Sequence, residues 1–408
     1  MASHPPLPPP VPPHHHRVPV RARSEGSATA SLIFGLLGFC VPFSGLIAVI
    51  CGHVALPSIA KSSGARNGKG LAITGLITGY LSIGMWGWLS ARLVHEASVK
   101  KAELKAASEP FELRKVAIPT FPSLPEFQEL EPGGVRVAQV SLGQGNPNAQ
   151  PGTAMSFRIY LPAGSAEAAP QSLPCVIVAP AGTNLLSGAN LDEFDENAYH
   201  KETLPYAKAG MVAILYSLDG EDPQDEGPVE SVAERMRSAF LSFKAAGAGT
   251  VNARNAVEFA ITRLPMVDPQ RIFSAGHSSA AALSLLVAAH EPRLRGCLAY
   301  APAVELEKHF LELLGTEGSA DVLPGINEFV KRSSPLTHAA RIRVPVFLFF
   351  ADDDGMIPAG SYQPFVDALR QTNANVTLQT VPSGGHYQSM IDQGIPAGIE
   401  WMRPISDR

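Results

Sequence analysis

RIFSAGHSSAAA, residues 271–282, reads as a short buried strand, a tight turn centred on Ser278 and the opening of a helix. A serine hydroxyl is a poor nucleophile until it is held clear of its neighbours, near a base and beside donors for the oxyanion it creates. A strand that reverses sharply into a helix achieves this when the residues two before and two after the serine are small; here they are Gly276 and Ala280. As five letters the pattern is common, and its plain alternative is a strand–helix turn with serines capping the helix. The β-forming residues before it and the Ala/Leu-rich run after it favour a nucleophile elbow. Ser279 is the rival nucleophile, but the residue two before it is His277, too bulky for the turn.

Outward from the elbow, strands alternate with helices, the pattern of an α/β domain with a mostly parallel sheet covered on both faces. GVRVAQVSL (134–142) and AMSFRIYLPAG (154–164) read as an opening antiparallel pair, and CVIVAP (175–180) as a central strand followed by the turn AGTN (181–184). TLPYAKAG is a helix ending on Gly210, MVAILYS (211–217) a further central strand, and VNARNAVEFAITRL (251–264) the helix that leads into the elbow strand. GCLAYAPA (296–303) is the next strand, residues 304–333 carry helical patterns such as VELEKHFLELL that suit a small lid, and VPVFLFFADDD (344–354) is a strand running into three aspartates. VTLQTVPSGGHYQSM (376–390) gives the last strand, a glycine turn and His386. The acidic segment 219–236 reads as a surface rim rather than a metal site.

Serine, aspartate and histidine thus follow one another at the C-terminal ends of three strands, where open α/β sheets place their sites. A serine needs an imidazole to take its proton, and the imidazole needs a carboxylate to fix its tautomer. His386 is the base, because Gly384 and Gly385 let its turn swing the ring over the elbow; His290, His309 and His338 fall in or at the ends of helices and read as surface or capping residues. Asp354 is the acid, since Gly355 to Pro358 take the chain away from the strand end there, whereas Asp352 and Asp353 suit hydrogen bonds to the loop backbone or solvent. The oxyanion donors are the backbone N–H of Ser279 and one from Gly182 or Ala181; the sequence does not choose between the last two.

The 408 residues exceed one ordinary domain, and a net charge of -5 with 17% charged residues offers no basic face for nucleic acid. Residues 1–27 are proline-rich and unable to bury a core, with His14, His15 and His16 as solvated tail. Ser31 to Leu56 and Leu71 to Leu89 carry no charged side chain, and each is long enough to cross a bilayer. A loop bearing Lys61, Arg66 and Lys69 joins them, Trp86 and Trp88 suit an interfacial belt, and Gly75 and Gly79 have the GxxxG spacing that lets helices approach closely. The expectation is therefore a transmembrane hairpin in contact with lipid, rather than a signal peptide or a buried hairpin. Arg17, Arg21 and Arg23 before it and Arg92, Lys100, Lys101 and Lys105 after it outnumber the loop cations, which leans the large domain toward the cytoplasmic side. Residues 91–107 read as a stalk and 117–134 as a semi-rigid proline-rich linker. Of the four cysteines none is spaced as a disulfide framework or metal knuckle, and no cofactor motif is present.

Two resemblances follow from these residues. SLIFGLLGF, GHVAL (52–56) and GKGLAITGLITGYL (68–81) resemble a two-helix membrane module of undetermined function near the N-termini of many bacterial proteins, which implies a bacterial membrane protein over roughly residues 30–90. Residues 135–403 resemble an α/β-hydrolase of the dienelactone hydrolase and prolyl oligopeptidase-like group, through AGHSSAA, SPLTHAARIRVP, DDDGMIP and VPSGGHYQSM. That resemblance implies a serine hydrolase with Ser278, Asp354 and His386 as its triad, acting on esters, small acyl compounds or peptides. Ala280 in place of the usual glycine, APAGT where many members have histidine and glycine, and no propeller sequence before the domain depart from the pattern; the last of these weighs against oligopeptidase activity. The remaining alternative is a membrane-anchored binding or scaffold protein that keeps the fold without the chemistry.

Overall fold

The computed structural model describes residues 23–130, 134–143, 150–191, 200–221, 229–316 and 318–406. The proline-rich tail to residue 22, with its three histidines, and residues 222–228 of the acidic rim lie outside these residues. The chain divides into two compact units, Met1–Ala102 and Glu103–Arg408.

In the first unit the long apolar run expected as one helix is two. α1 covers Gly26–Leu37 and α2 covers Ser44–Lys61, with Pro42 in the break and Phe43 at φ 69°. Proline lacks the N–H a continuing helix needs and pushes the residue before it out of the helical region. The membrane-crossing candidates accordingly become Ser44–Lys61 and Lys69–Val99, the latter part of α3 (Lys69–Ser108) and containing the expected 71–89. At about 1.5 Å per residue α1 falls short of the ~30 Å apolar layer. The GxxxG face does pack closely, against two partners. A Cβ at Gly79 would lie 2.9 Å from the Gly45 carbonyl oxygen of α2, and one at Gly75 would lie 2.6 Å from the Leu32 nitrogen of α1. Strand β1 (Arg23–Ser24) pairs with β2 (Arg66–Asn67), and Arg66 bonds Glu25 at 2.8 Å, so one loop cation is paired.

The second unit is a nine-stranded sheet. In chain order its strands are β3 (Gln128–Glu129), β4 (Arg136–Ser141), β5 (Ser156–Leu161), β6 (Leu173–Val178), β7 (Val212–Tyr216), β8 (Val267–His277), β9 (Leu294–Tyr300), β10 (Val346–Ala351) and β11 (Val376–Val381). Their spatial order is β11-β10-β9-β8-β6-β7-β5-β4-β3, with β6 to β11 mutually parallel and the β3–β4, β4–β5 and β5–β7 pairs antiparallel. Every residue of β5, β7 and β10 is buried, which is why β7 and β10 read as unbroken apolar runs; β5 also buries Ser156 and Arg158. Helices α4 (His200–Lys208), α5 (Val229–Ala245), α6 (Thr250–Arg263) and α7 (Ser279–His290) connect the strands, and four short helices lie within Leu306–Ser333.

The proline-rich segment lies along this unit instead of standing off it. Phe121 enters the core beside Phe157 and Phe259, with ring centroids 6.1 and 5.5 Å apart. Buried Arg254 donates to the carbonyls of Leu113, Val116 and Ala117 at 3.0–3.3 Å, Arg332 donates to that of Pro110, and Arg263 to that of Phe121. Prolines cannot donate to a ladder, so their chain is held through its acceptors. His290 and His338, expected at the surface, face one another at 4.8 Å in this region, and His338 is fully buried. One ring nitrogen of each donates locally, to Leu286 O at 2.8 Å and Arg332 O at 2.7 Å, while His290 Nε2 and His338 Nδ1 are buried with no partner among the described residues.

Candidate active site

β8 hydrogen-bonds on both sides, to β6 and β9, and ends at His277 opposite Tyr300. Ser278 then turns the chain at φ 55° and ψ -117°, a conformation that is costly for a residue with a side chain and is held by its surroundings. Its N–H donates to the Tyr300 carbonyl at 2.8 Å, and its own carbonyl accepts from Ala281 and Ala282 as α7 begins. A Cβ on Gly276 would come within 2.4 Å of the Ala280 carbonyl oxygen and 2.9 Å of the Ala280 Cβ. Glycine at 276 is thus what makes room for alanine at 280. Ser278 is only partly covered, while His277 and Ser279 on either side are buried.

Asp354 and His386, 32 residues apart, come together at the ends of β10 and β11. The His386 Nδ1–H donates to Asp354 Oδ2 at 2.7 Å. The other carboxylate oxygen accepts the N–H groups of Met356 and Ile357 at 2.8 and 2.9 Å. The Asp354 side chain is 1% exposed and the His386 side chain 20%, so the pair is shielded at the carboxylate and open at the imidazole. Asp353 accepts from Gly384 and Gly385 at 3.1 and 2.8 Å, tying the acid loop to the histidine loop, as expected of a neighbouring aspartate. Gly384, at φ 123°, has no room for a Cβ, which would meet Ser389 at 2.8 Å. The His386 ring lies 4.6 Å from the ring of His277, the residue before Ser278, and so stands beside the elbow.

The loop after β6 reaches the other side of the turn. Thr183 N–H donates to Ser279 Oγ at 3.1 Å, so Ala181 and Gly182 lie in a loop tied to the first residue of α7. Helix N-termini leave their first N–H groups without intrahelical partners, which suits them to an anionic oxygen. Asn184 shapes the same loop by accepting from the N–H groups of Leu186 and Ser187 at 2.9 and 2.8 Å.

Two residues with no visible signal in the sequence belong to this site. His277 donates Nε2–H to the His386 carbonyl at 2.9 Å, and burial followed by the nearby His386 pulls its pKa down to about 4. Glu202 of α4 shares a cavity of about 10 Å³ with Gly276, His277, Tyr206 and Tyr300, room for about one water. Its Oε2 is buried and makes no hydrogen bond among the described residues, and burial pushes its carboxyl up to about 7. Among the described residues no group of three or more histidine, cysteine or acidic side chains is placed to hold a metal ion.

Residues 247–399 match the prolyl oligopeptidase family, and residues 27–89 match a domain of unknown function, DUF4190. No curated protein matches the sequence. Similar solved structures include an acetyl xylan esterase from Paenibacillus sp. R4, at 17% identity over 74% of this chain and 91% of that one, with a TM-score of 0.47. Acetyl xylan esterase 1 from Thermoanaerobacterium sp. JW/SL YS485 is 14% identical over 75% of this chain and 93% of that one, with a TM-score of 0.49. A putative dienelactone hydrolase from Klebsiella pneumoniae subsp. pneumoniae MGH 78578 is 18% identical over 67% and 97%, with a TM-score of 0.45. With its strand order, its strained turn at residue 278 and the family match that spans β8 to β11, the second unit is an α/β-hydrolase, and the chain is a serine hydrolase.

Proposed function

We propose that this chain is a membrane-anchored serine hydrolase that cleaves esters or small acyl compounds through an acyl-enzyme. Ser278 is the nucleophile, His386 the general base and acid, and Asp354 the carboxylate that fixes the imidazole tautomer. The observation that carries this reading is the 2.7 Å bond from His386 Nδ1–H to Asp354, made on a loop that adjoins the strained serine. With Nδ1 protonated and committed, Nε2 is the nitrogen that accepts a proton. Ser278 Oγ attacks the acyl carbon as its proton passes to His386 Nε2, and Asp354 stabilises the imidazolium. The negative oxygen that forms is met by the N–H of Ser279 and that of Gly182 or Ala181. The imidazolium then protonates the leaving group, and a water activated by the same imidazole releases the acid and restores Ser278.

A peptidase reading of the same site is favoured by the family match at 247–399. Anchoring rests on α2 and the apolar part of α3, with residues 28–90 as the membrane module, 91–134 as stalk and linker, and 135–403 as the hydrolase domain. The cation balance leans that domain to the cytoplasmic side. Hydrolysis of p-nitrophenyl acetate and labelling by a fluorophosphonate, in the wild type and in Ser278→Ala, test the triad. Activity and labelling are expected to vanish in the mutant, and unchanged turnover overturns the reading. A fluorogenic dipeptide panel separates peptidase from esterase, and carbonate extraction of membranes checks the anchor.

A further inference from the structure

The loop that carries His386 must hold the imidazole against two motions: rotation, which Asp354 controls, and translation of the loop itself. Asp353 restrains the loop from the acid side, through N–H groups at 384 and 385. At residue 386 itself the backbone is held by something else. The His386 carbonyl accepts the Nε2–H of His277, which is the last residue of β8 and covalently adjacent to Ser278. We propose that His277 is a positioning residue for the reaction, fixing the distance between the base and the nucleophile by bonding the backbone of one from the residue next to the other.

This rests on the triad reading above and adds to it a constraint that the three triad side chains do not supply. Four observations support it. A carbonyl only accepts, so the 2.9 Å contact fixes His277 as the Nε2–H tautomer. His277 is 4% exposed and burial holds it neutral, so the donor persists across the working pH range. Its ring also packs against that of His386 at 4.6 Å and that of Tyr387 at 5.7 Å, covering the base loop from the elbow side. β8 is paired on both edges, so the anchor moves with the sheet and with Ser278 rather than with the loop. Displacements on the order of 1 Å at a reacting pair cost about 100-fold in rate, which sets the scale of what one such tether protects.

The donor and the ring are separable. His277→Gln keeps an N–H near the Nε2 position and loses the ring; His277→Phe keeps a ring and loses the donor; His277→Met removes both at similar length and serves if Phe does not fold. In the full-length chain in detergent, kcat and KM for p-nitrophenyl acetate and the rate of labelling by an alkyl fluorophosphonate are measured beside the thermal midpoint. His277→Phe or His277→Met is expected to lower kcat and labelling about 10- to 100-fold with KM within about 3-fold and the midpoint little changed. His277→Gln is expected to stay within about 5-fold of wild type. A donor-less variant as fast as wild type, or a Gln variant as slow as Phe, overturns the proposal while Ser278→Ala remains silent. Wild-type labelling that survives in Ser278→Ala overturns the triad reading, and the positioning role with it.

Discussion

Replacing Glu202 by glutamine is expected to stabilise the second unit, and only at neutral and alkaline pH. The carboxyl is 6% exposed, one of its oxygens makes no hydrogen bond among the described residues, and burial pushes it up to about 7 from an ordinary 4.5. Unfolded, the group loses its proton near pH 4.5; folded, it keeps that proton until about pH 7. Within that window the folded state binds a proton that the unfolded state has released, so stability falls as pH rises, and above about pH 7 the loss is complete. About 2.5 pH units at ~1.4 kcal/mol each gives a cost of about 3 kcal/mol at pH 8 and almost none below pH 4.5. Glutamine copies the shape of the protonated carboxyl and does not titrate. His277 and His290 act in the opposite sense: burial lowers both to about 4, so they take stability away as pH falls from about 6.5 toward 4. The informative quantity is therefore the difference between Glu202→Gln and wild type at each pH. Urea unfolding of the full-length proteins in detergent, followed by Trp401 fluorescence in a background lacking Trp86 and Trp88, gives that difference. A gap of about 3 kcal/mol at pH 8 that closes at pH 4.5 is expected; a gap that is absent, or equal at both values, refutes the reasoning.

Asp354→Asn keeps the shape of the acid but frees the imidazole to take the wrong tautomer, and is expected to lower kcat by about 1,000- to 10,000-fold with the fold intact by circular dichroism. Gly276→Ala forces a Cβ to within 2.4 Å of the Ala280 carbonyl oxygen, and the turn must open. A loss of about 1–3 kcal/mol in unfolding free energy by urea denaturation, together with loss of fluorophosphonate labelling, is expected. Ser279→Ala leaves the proposed backbone donor in place but removes the acceptor of the Thr183 N–H, loosening the 181–183 loop. Its kcat is expected to fall about 10-fold with KM unchanged, measured with p-nitrophenyl acetate.

The elbow was legible because its requirements are local: a small residue on each side of Ser278, a buried strand before it and a helix after it. The Asp354–His386 pairing was legible for a different reason, since strand ends in a parallel sheet deliver distant residues to one edge. The break at Pro42 was written in the sequence, but an uninterrupted apolar composition hid it, because hydropathy counts residues and does not ask which backbone can continue. In the sequence, His277 registers only through its bulk beside the turn. Its partner is the carbonyl 109 residues further on, and backbone acceptors carry no letter in a sequence. The burial of His290 and His338 is hidden for a similar reason: the one carbonyl that each ring donates to is supplied by helix backbone. Proline spacing described how stiff the 117–134 segment is, and said nothing of the arginines at 254, 263 and 332 that hold the chain from Pro110 to Phe121.

Those arginine clasps have a mechanical consequence. A pull on the polypeptide from the side of residue 109 first meets guanidinium groups gripping five peptide carbonyls in succession, from Pro110 to Phe121. Tension is thereby diverted into α6 and its neighbours before it reaches the sheet edge at β3. A tug at the leash would spend itself on the collar, leaving the machinery at the far ends of the strands undisturbed.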